Sequence, residues 1–175
     1  MDIKQIKTPR CQGKIKEIYE NSFPENERVD FVTLFDKGVF PQYEMYGFYE
    51  NKEAIGFAYL LVEEELNLAF LGYIAVKDGL RDVGKGSKMI NFLKEKYNNK
   101  CIAVNIESST VKCDNKKERL MRENFYYKNG FKYTGIQFKN RGETFNSYYY
   151  GDFDKEKYIK LMHSYFPDLT DMKTN

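Results

Sequence analysis

Gly79, Gly84 and Gly86 alternate with the basic residues Arg81 and Lys85. They follow the apolar run Leu71-Gly-Tyr-Ile-Ala-Val and precede a stretch with helical spacing. A strand entering a Gly-rich turn that opens onto a helix presents unpaired backbone N–H groups and a partial positive charge. Glycines there permit positive φ and close approach of a ligand to the main chain. The chemistry this suits is binding of an anion, above all phosphate or pyrophosphate. The segment Gly79-Leu-Arg-Asp-Val-Gly84-Lys85-Gly86 nearly spells the nucleotide loop GxxxxGK[ST], but Gly86 stands where a magnesium-binding hydroxyl is required, and Ser87 comes one residue late. The dinucleotide pattern GxGxxG is absent. The plainer alternative is a simple strand-to-helix turn.

Other chemistries find less material. A single histidine, His163, rules out a His-rich metal centre and disfavours a Ser–His nucleophile. Three cysteines, Cys11, Cys101 and Cys113, form no CxxC pair; this fits reduced thiols in the cytoplasm rather than disulfides or zinc. The net charge of +2 argues for neither nucleic acid nor an anionic membrane as partner. The longest apolar runs, such as Ala69 to Val76, are far too short to span a bilayer. The opening MDIKQIKTPR lacks the apolar stretch of a secretion signal, so the expected location is cytoplasmic. Oligomeric state, a homodimer included, is left open.

The elements that must position the turn follow from apolar periodicity. At 175 residues the chain suits one domain, and its 17% aromatic content suits many half-buried strands. Met1 to Thr8 is predicted to be an edge strand, Gly13 to Ser22 a helix, and Val29 to Gly38 a second helix. Tyr43 to Tyr49, Ala54 to Val62 and Leu66 to Val76 read as three strands of an antiparallel meander. The turn leads into a helix ending near Tyr97, with Met89, Ile90 and Leu93 at core spacing. Cys101 to Ile106 is a buried strand, joined by that helix to the strand before the turn and so expected to run parallel to it. A helix over Lys116 to Asn129, a hairpin over Phe131 to Phe138 and Glu143 to Tyr150, and a helix from Asp154 to Phe166 complete the chain. The fold class is α+β (mixed α/β): a mostly antiparallel central sheet with one parallel crossover and helices on both faces. One domain spans 1–175, with N-terminal helices at 13–38, a cofactor core at 43–138, and a C-terminal hairpin and helix at 139–166.

Two motifs in this strand order carry a resemblance. Arg81-x-x-Gly84-x-Gly86 after the Ile-Ala-Val strand end, and Phe125-Tyr126-Tyr127-Lys128-Asn129-Gly130-Phe131 downstream, resemble the motifs of the GNAT superfamily of acetyl-CoA-dependent N-acetyltransferases. The likeness covers roughly Tyr43 to Phe138. It implies acetyl-CoA as co-substrate, no metal, and transfer of the acetyl group to a primary amine by direct attack in a ternary complex. The acceptor would be a small-molecule amine or a peptide amine. The alternative is a non-catalytic acyl-CoA-binding or regulatory module of the same fold.

The resemblance also implies roles. Main-chain groups of Ile74, Ala75 and Val76 would pair with the pantetheine arm, and the turn Arg81, Asp82, Val83, Gly84, Lys85, Gly86 and Ser87 would hold the pyrophosphate. Val76 N–H is the natural donor to the oxyanion if the strand carries a bulge there. Asp82 stands where Gly is usual, and its carboxylate is expected to point away from the pyrophosphate or to bond a turn amide. Tyr126 matches the tyrosine that sits beside the cofactor sulfur and protonates the departing thiolate as general acid. Seven residues earlier, where an Asn is frequent, this chain has Arg119; Asn115 lies one helical turn further back. Glu107, ending its strand, is the candidate base for the acceptor amine, ahead of Glu44. Acceptor selectivity is expected from Phe23 to Arg28 and from the last hairpin, with its Tyr148-Tyr149-Tyr150.

Overall fold

Apolar and β-branched runs bounded by turn residues fold here into an eight-stranded sheet. In this computed structural model, which describes residues 1–10, 12–81 and 84–174, the strands follow the order β1-β2-β3-β4-β5-β7-β6-β8. The sheet is mostly antiparallel with one parallel pair, β4–β5, as the crossover helix requires. The strands are β1 (Asp2–Gln5), β2 (Tyr43–Glu50), β3 (Glu53–Glu63), β4 (Leu68–Val76), β5 (Cys101–Glu107), β6 (Lys132–Asn140), β7 (Glu143–Tyr150) and β8 (Thr170–Thr174). The helices are α1 (Gly13–Ser22), α2 (Lys85–Lys96), α3 (Lys116–Lys128) and α4 (Lys155–Tyr165). By contacts the chain forms two compact units, Met1–Val62 with Leu71–Lys96, and Glu63–Phe70 with Tyr97–Asn175. Among the described residues no helix is long and apolar enough to cross a membrane.

In the first unit β1 pairs antiparallel with β2, and β2 with β3. Asn51 and Lys52 close the β2–β3 hairpin with φ of +48° and +66°. Two successive positive values match the right-handed twist of the flanking strands. Helix α1 buries Ile15, Ile18 and Tyr19. Tyr19 anchors an aromatic cluster with Phe23, Phe31, Phe57 and Tyr73, at centroid distances from 5.1 to 5.9 Å.

The helix predicted over Val29 to Gly38 does not form; only single 3-10 turns occur, at Glu25–Glu27 and Thr33–Phe35. Val29, Val32 and Thr33 are β-branched and lose rotamer freedom in a helix. The Asp36 carboxylate accepts the Gly38 N–H at 2.8 Å, a local bond that competes with helix continuation. The apolar spacing that suggested a helix instead sends Phe31 and Leu34 into the core from an irregular segment.

In the second unit β7 lies between β5 and β6, antiparallel to both. The β6–β7 hairpin turns at Arg141 and Gly142, again both at positive φ. Cys101 N–H donates to Asn67 O at 3.1 Å, tying the start of β5 to the residue before β4. Asp154 caps α4 as expected, its side chain accepting Lys157 N–H at 3.1 Å. The C-terminal strand β8, which sequence reading did not anticipate, pairs antiparallel with β6. Its residues TDMKT are polar except Met172 and mostly exposed, so no alternation announces it.

Candidate functional site

Each unit holds part of the predicted machinery. In the first, the end of β4 is buried at Leu71, then partly exposed at Tyr73, Ile74 and Val76, with Ala75 buried. The strand end is held by Lys77 N–H donating to Ile55 O at 2.9 Å. Gly56 lets β4 come close: a Cβ there would lie 2.5 Å from Ala75 O. Leu80 N–H returns to Lys77 O at 3.1 Å, and Gly79 has φ +79°.

Gly84 has φ +77°, and a Cβ built there would meet nothing within 4 Å. The residue is glycine for its backbone angle, not for room. Its carbonyl accepts Lys88 N–H at 3.2 Å, which makes Lys85, Gly86 and Ser87 the first turn of α2. Amides of a helix's first turn precede its own hydrogen-bond ladder and point along the axis. Asp82 and Val83, expected in the same turn, lie outside the described residues.

The two basic side chains of the turn are already engaged. Arg81 folds back on the strand end, Nε donating to Val76 O at 3.4 Å and Nη2 pairing with Asp78 at 3.0 Å. Lys85 reaches both oxygens of Glu50 at 2.5 Å, with its side chain only 18% exposed. The Lys85 ammonium holds the Glu50 carboxyl below its usual range, against the opposing pull of desolvation. Glu50 escaped sequence reading because it precedes Lys85 by 35 residues, at the far end of a hairpin. Glu44 also has partners, Tyr46 and Lys96.

In the second unit, α3 presents Tyr126. Its ring packs between Phe125 and Phe131, at 5.3 and 5.2 Å, and only 3% of the residue is exposed. Burial pushes the hydroxyl well above the ordinary phenol range, Arg122 drawing it slightly back. The motif around it has a local physical explanation. Phe131 N–H donates to Tyr126 O at 3.0 Å, Gly130 N–H donates to Tyr127 O at 2.9 Å, and Gly130 has φ +78°. This is a Schellman helix stop, with the Phe131–Tyr126 ring contact as the hydrophobic clasp that accompanies it. Tyr-x-x-x-Gly-Phe is therefore the spacing that ends α3. Tyr127, the neighbour, is exposed and lies against Tyr148 at 5.5 Å.

Glu107 ends β5 as predicted but is only 5% exposed and doubly paired. Oε1 lies 2.8 Å from Arg119 Nη2, and Oε2 lies 2.6 Å from Arg122 Nη1. Arg119 is itself buried, and also contacts Glu143 at 3.0 Å, Asn115 Oδ1 at 2.8 Å and Ser108 O at 3.3 Å. Arg119, standing where the resemblance implies an Asn, is thus the hub of an ionic network, and Asn115 serves that hub. One turn along, Glu123 accepts from Ser109 at 2.6 Å and from Tyr148 at 2.5 Å. Burial and that carboxylate push the Tyr148 hydroxyl far up. Of the three consecutive tyrosines Tyr148 is core, while Tyr149 and Tyr150 are half-buried. Near the other predicted acceptor segment, Arg28 donates to Phe23 O at 2.7 Å and closes the end of α1.

Solved structures share this fold at low identity. A GNAT-family acetyltransferase candidate from Bacteroides thetaiotaomicron superposes with a TM-score of 0.71 at 18% identity, over 94% of this chain and 95% of its own. The aminoglycoside 6'-N-acetyltransferase of Enterococcus faecium gives 0.65 at 14% identity, over 88% of this chain and 100% of its own. A Bacillus subtilis acetyltransferase solved in complex with CoA gives 0.52 at 19% identity, over 67% of this chain and 82% of its own. No curated protein matches this sequence. Residues 13–131, which run from the first turn of α1 to the helix stop after Tyr126, match the acetyltransferase (GNAT) family, and the chain belongs to that family.

Proposed function

We propose that this protein transfers an acetyl group from acetyl-CoA to a primary amine by direct attack in a ternary complex. The observation that carries this reading is the turn after β4, where Gly84 at φ +77° opens the first turn of α2 beside a half-exposed strand end. The Bacillus subtilis relative, solved with CoA, supports the choice of cofactor. In this reading the main chain of Ile74, Ala75 and Val76 pairs with the pantetheine arm. The turn from Arg81 through Asp82, Val83, Gly84, Lys85 and Gly86 to Ser87 holds the pyrophosphate. Lys85 joins by exchanging Glu50 for a phosphate oxygen.

The amine nitrogen attacks the thioester carbonyl, and Val76 N–H stabilises the oxyanion. The C–S bond then breaks, and Tyr126 gives its proton to the CoA thiolate. With both Glu107 oxygens facing guanidiniums, in this reading the acceptor's proton goes to water rather than to Glu107. The acceptor is a small-molecule or peptide amine, and aminoglycosides are worth including on the strength of the Enterococcus faecium relative's name. A cytoplasmic location suits a CoA-dependent reaction and the unpaired thiols of Cys101 and Cys113.

A thermal-shift series tests the reading. Acetyl-CoA should raise the unfolding midpoint, since a ligand at about 100 times its Kd adds about 2.7 kcal/mol. CoA thiol release with an amine panel then identifies the acceptor. No shift with acetyl-CoA, or a larger one with magnesium-ATP, overturns it. One observation favours a second reading, a non-catalytic acyl-CoA-binding module: helix termination and burial account fully for Tyr126, Gly130 and Phe131. Acetyl-CoA binding without thiol release across the panel would select that alternative.

A further inference from the structure

Buried Glu107 and Arg119, with the more exposed Arg122, form an ionic clamp between the end of β5 and α3. Residues three and four apart share a helix face. Arg119, Arg122, Glu123 and Tyr126 therefore lie along one stripe, and its first three members are tied to Glu107, Ser109 and Tyr148. Four polar ties on a single face fix the rotation and axial position of α3, whose remaining surface is largely exposed. A residue with both oxygens in guanidinium pairs is suited to hold geometry.

Resting on the acid role proposed for Tyr126, we infer that Glu107 is a positioning residue. Through Arg119 and Arg122 it sets the placement of the Tyr126 hydroxyl. It touches neither substrate nor cofactor. Misplacing a reacting group by about 1 Å costs on the order of 100-fold in rate, so partial loosening of the clamp is read as a smaller loss.

A double-mutant cycle tests this, with hydroxylamine as the acceptor probe and CoA thiol release as the signal. Glu107→Gln should lower kcat about 10-fold in the wild-type background and less than about 2-fold in Tyr126→Phe, with KM for acetyl-CoA unchanged in both. Equal losses in the two backgrounds would show that Glu107 acts independently of Tyr126, and would overturn the inference while leaving the acid role standing. Equal turnover by wild type and Tyr126→Phe, or no turnover by wild type, overturns the acid role and the inference together. Arg122→Gln guards against a folding defect, because it leaves the Glu107–Arg119 pair intact. It should show the same background dependence at smaller amplitude, and a loss of the same size in both backgrounds counts against the inference.

Discussion

The Lys85–Glu50 pair and the Glu107–Arg119–Arg122 clamp use the same attraction to opposite ends. Lys85 and Glu50 are 18% and 33% exposed, so water and incoming anions can compete for the ammonium. Arg119 and Glu107 are 4% and 5% exposed, so water competes little for their charges, whose other partners, Glu143 and Arg122, belong to the same network. Half-exposed ion pairs are weak and exchangeable, whereas a buried pair deprived of one member leaves an uncompensated charge. The first suits a binding turn that must accept a ligand. The second suits a scaffold that must not move.

Substitutions ranked by expected effect sharpen this contrast. Arg119→Met takes the buried guanidinium from Glu107, leaving it only the half-exposed Arg122, and should cost about 3 kcal/mol in urea unfolding; a loss under 1 kcal/mol would place the clamp in the same class as the surface pair. Gly84→Ala puts a side chain at φ +77° and should cost about 1–2 kcal/mol while abolishing the thermal response to acetyl-CoA. If that response survived, the backbone angle of the turn would not matter for binding. Asp154→Ala removes a surface cap and provides a yardstick of about 1 kcal/mol. Glu50→Gln should leave the unfolding curve nearly superimposable on wild type and tighten acetyl-CoA binding about 3-fold, the scale of a screened pair, with a steeper salt dependence. Weaker binding would mean that Glu50 presents Lys85 to the ligand instead of competing for it.

Local signals are legible in the sequence. The hairpin β6–β7, the core face of α2 at Met89, Ile90 and Leu93, and the Asp154 cap all rest on interactions within a few residues. What escaped depends on distant partners. Nothing near Thr170 announces β8, because a polar edge strand is specified by the unpaired edge of β6. The apolar spacing of Val29 to Gly38 belongs to a segment pinned by core contacts, which override helical preference. Glu107 was identified as a strand-end carboxylate, but its environment comes from a helix 12 to 15 residues onward and could not be read from its neighbours. The Tyr126 motif was legible as a pattern, and its physical meaning as a helix stop became visible only through the hydrogen bonds from Gly130 and Phe131.

That helix stop acts as a ruler. Two closed hydrogen-bonded rings fix the number of residues between Tyr126 and Phe131, because the left-handed step must fall at Gly130. One extra residue inside the interval would swing the aromatic ring about 100° around the helix axis, carrying it from the packed face to the side. Point substitutions can retune this segment by degrees, but its length admits no intermediate values. Insertions and deletions should therefore be tolerated at the β6–β7 turn and rejected between Tyr126 and Phe131, an asymmetry that a scan of single-residue insertions would reveal.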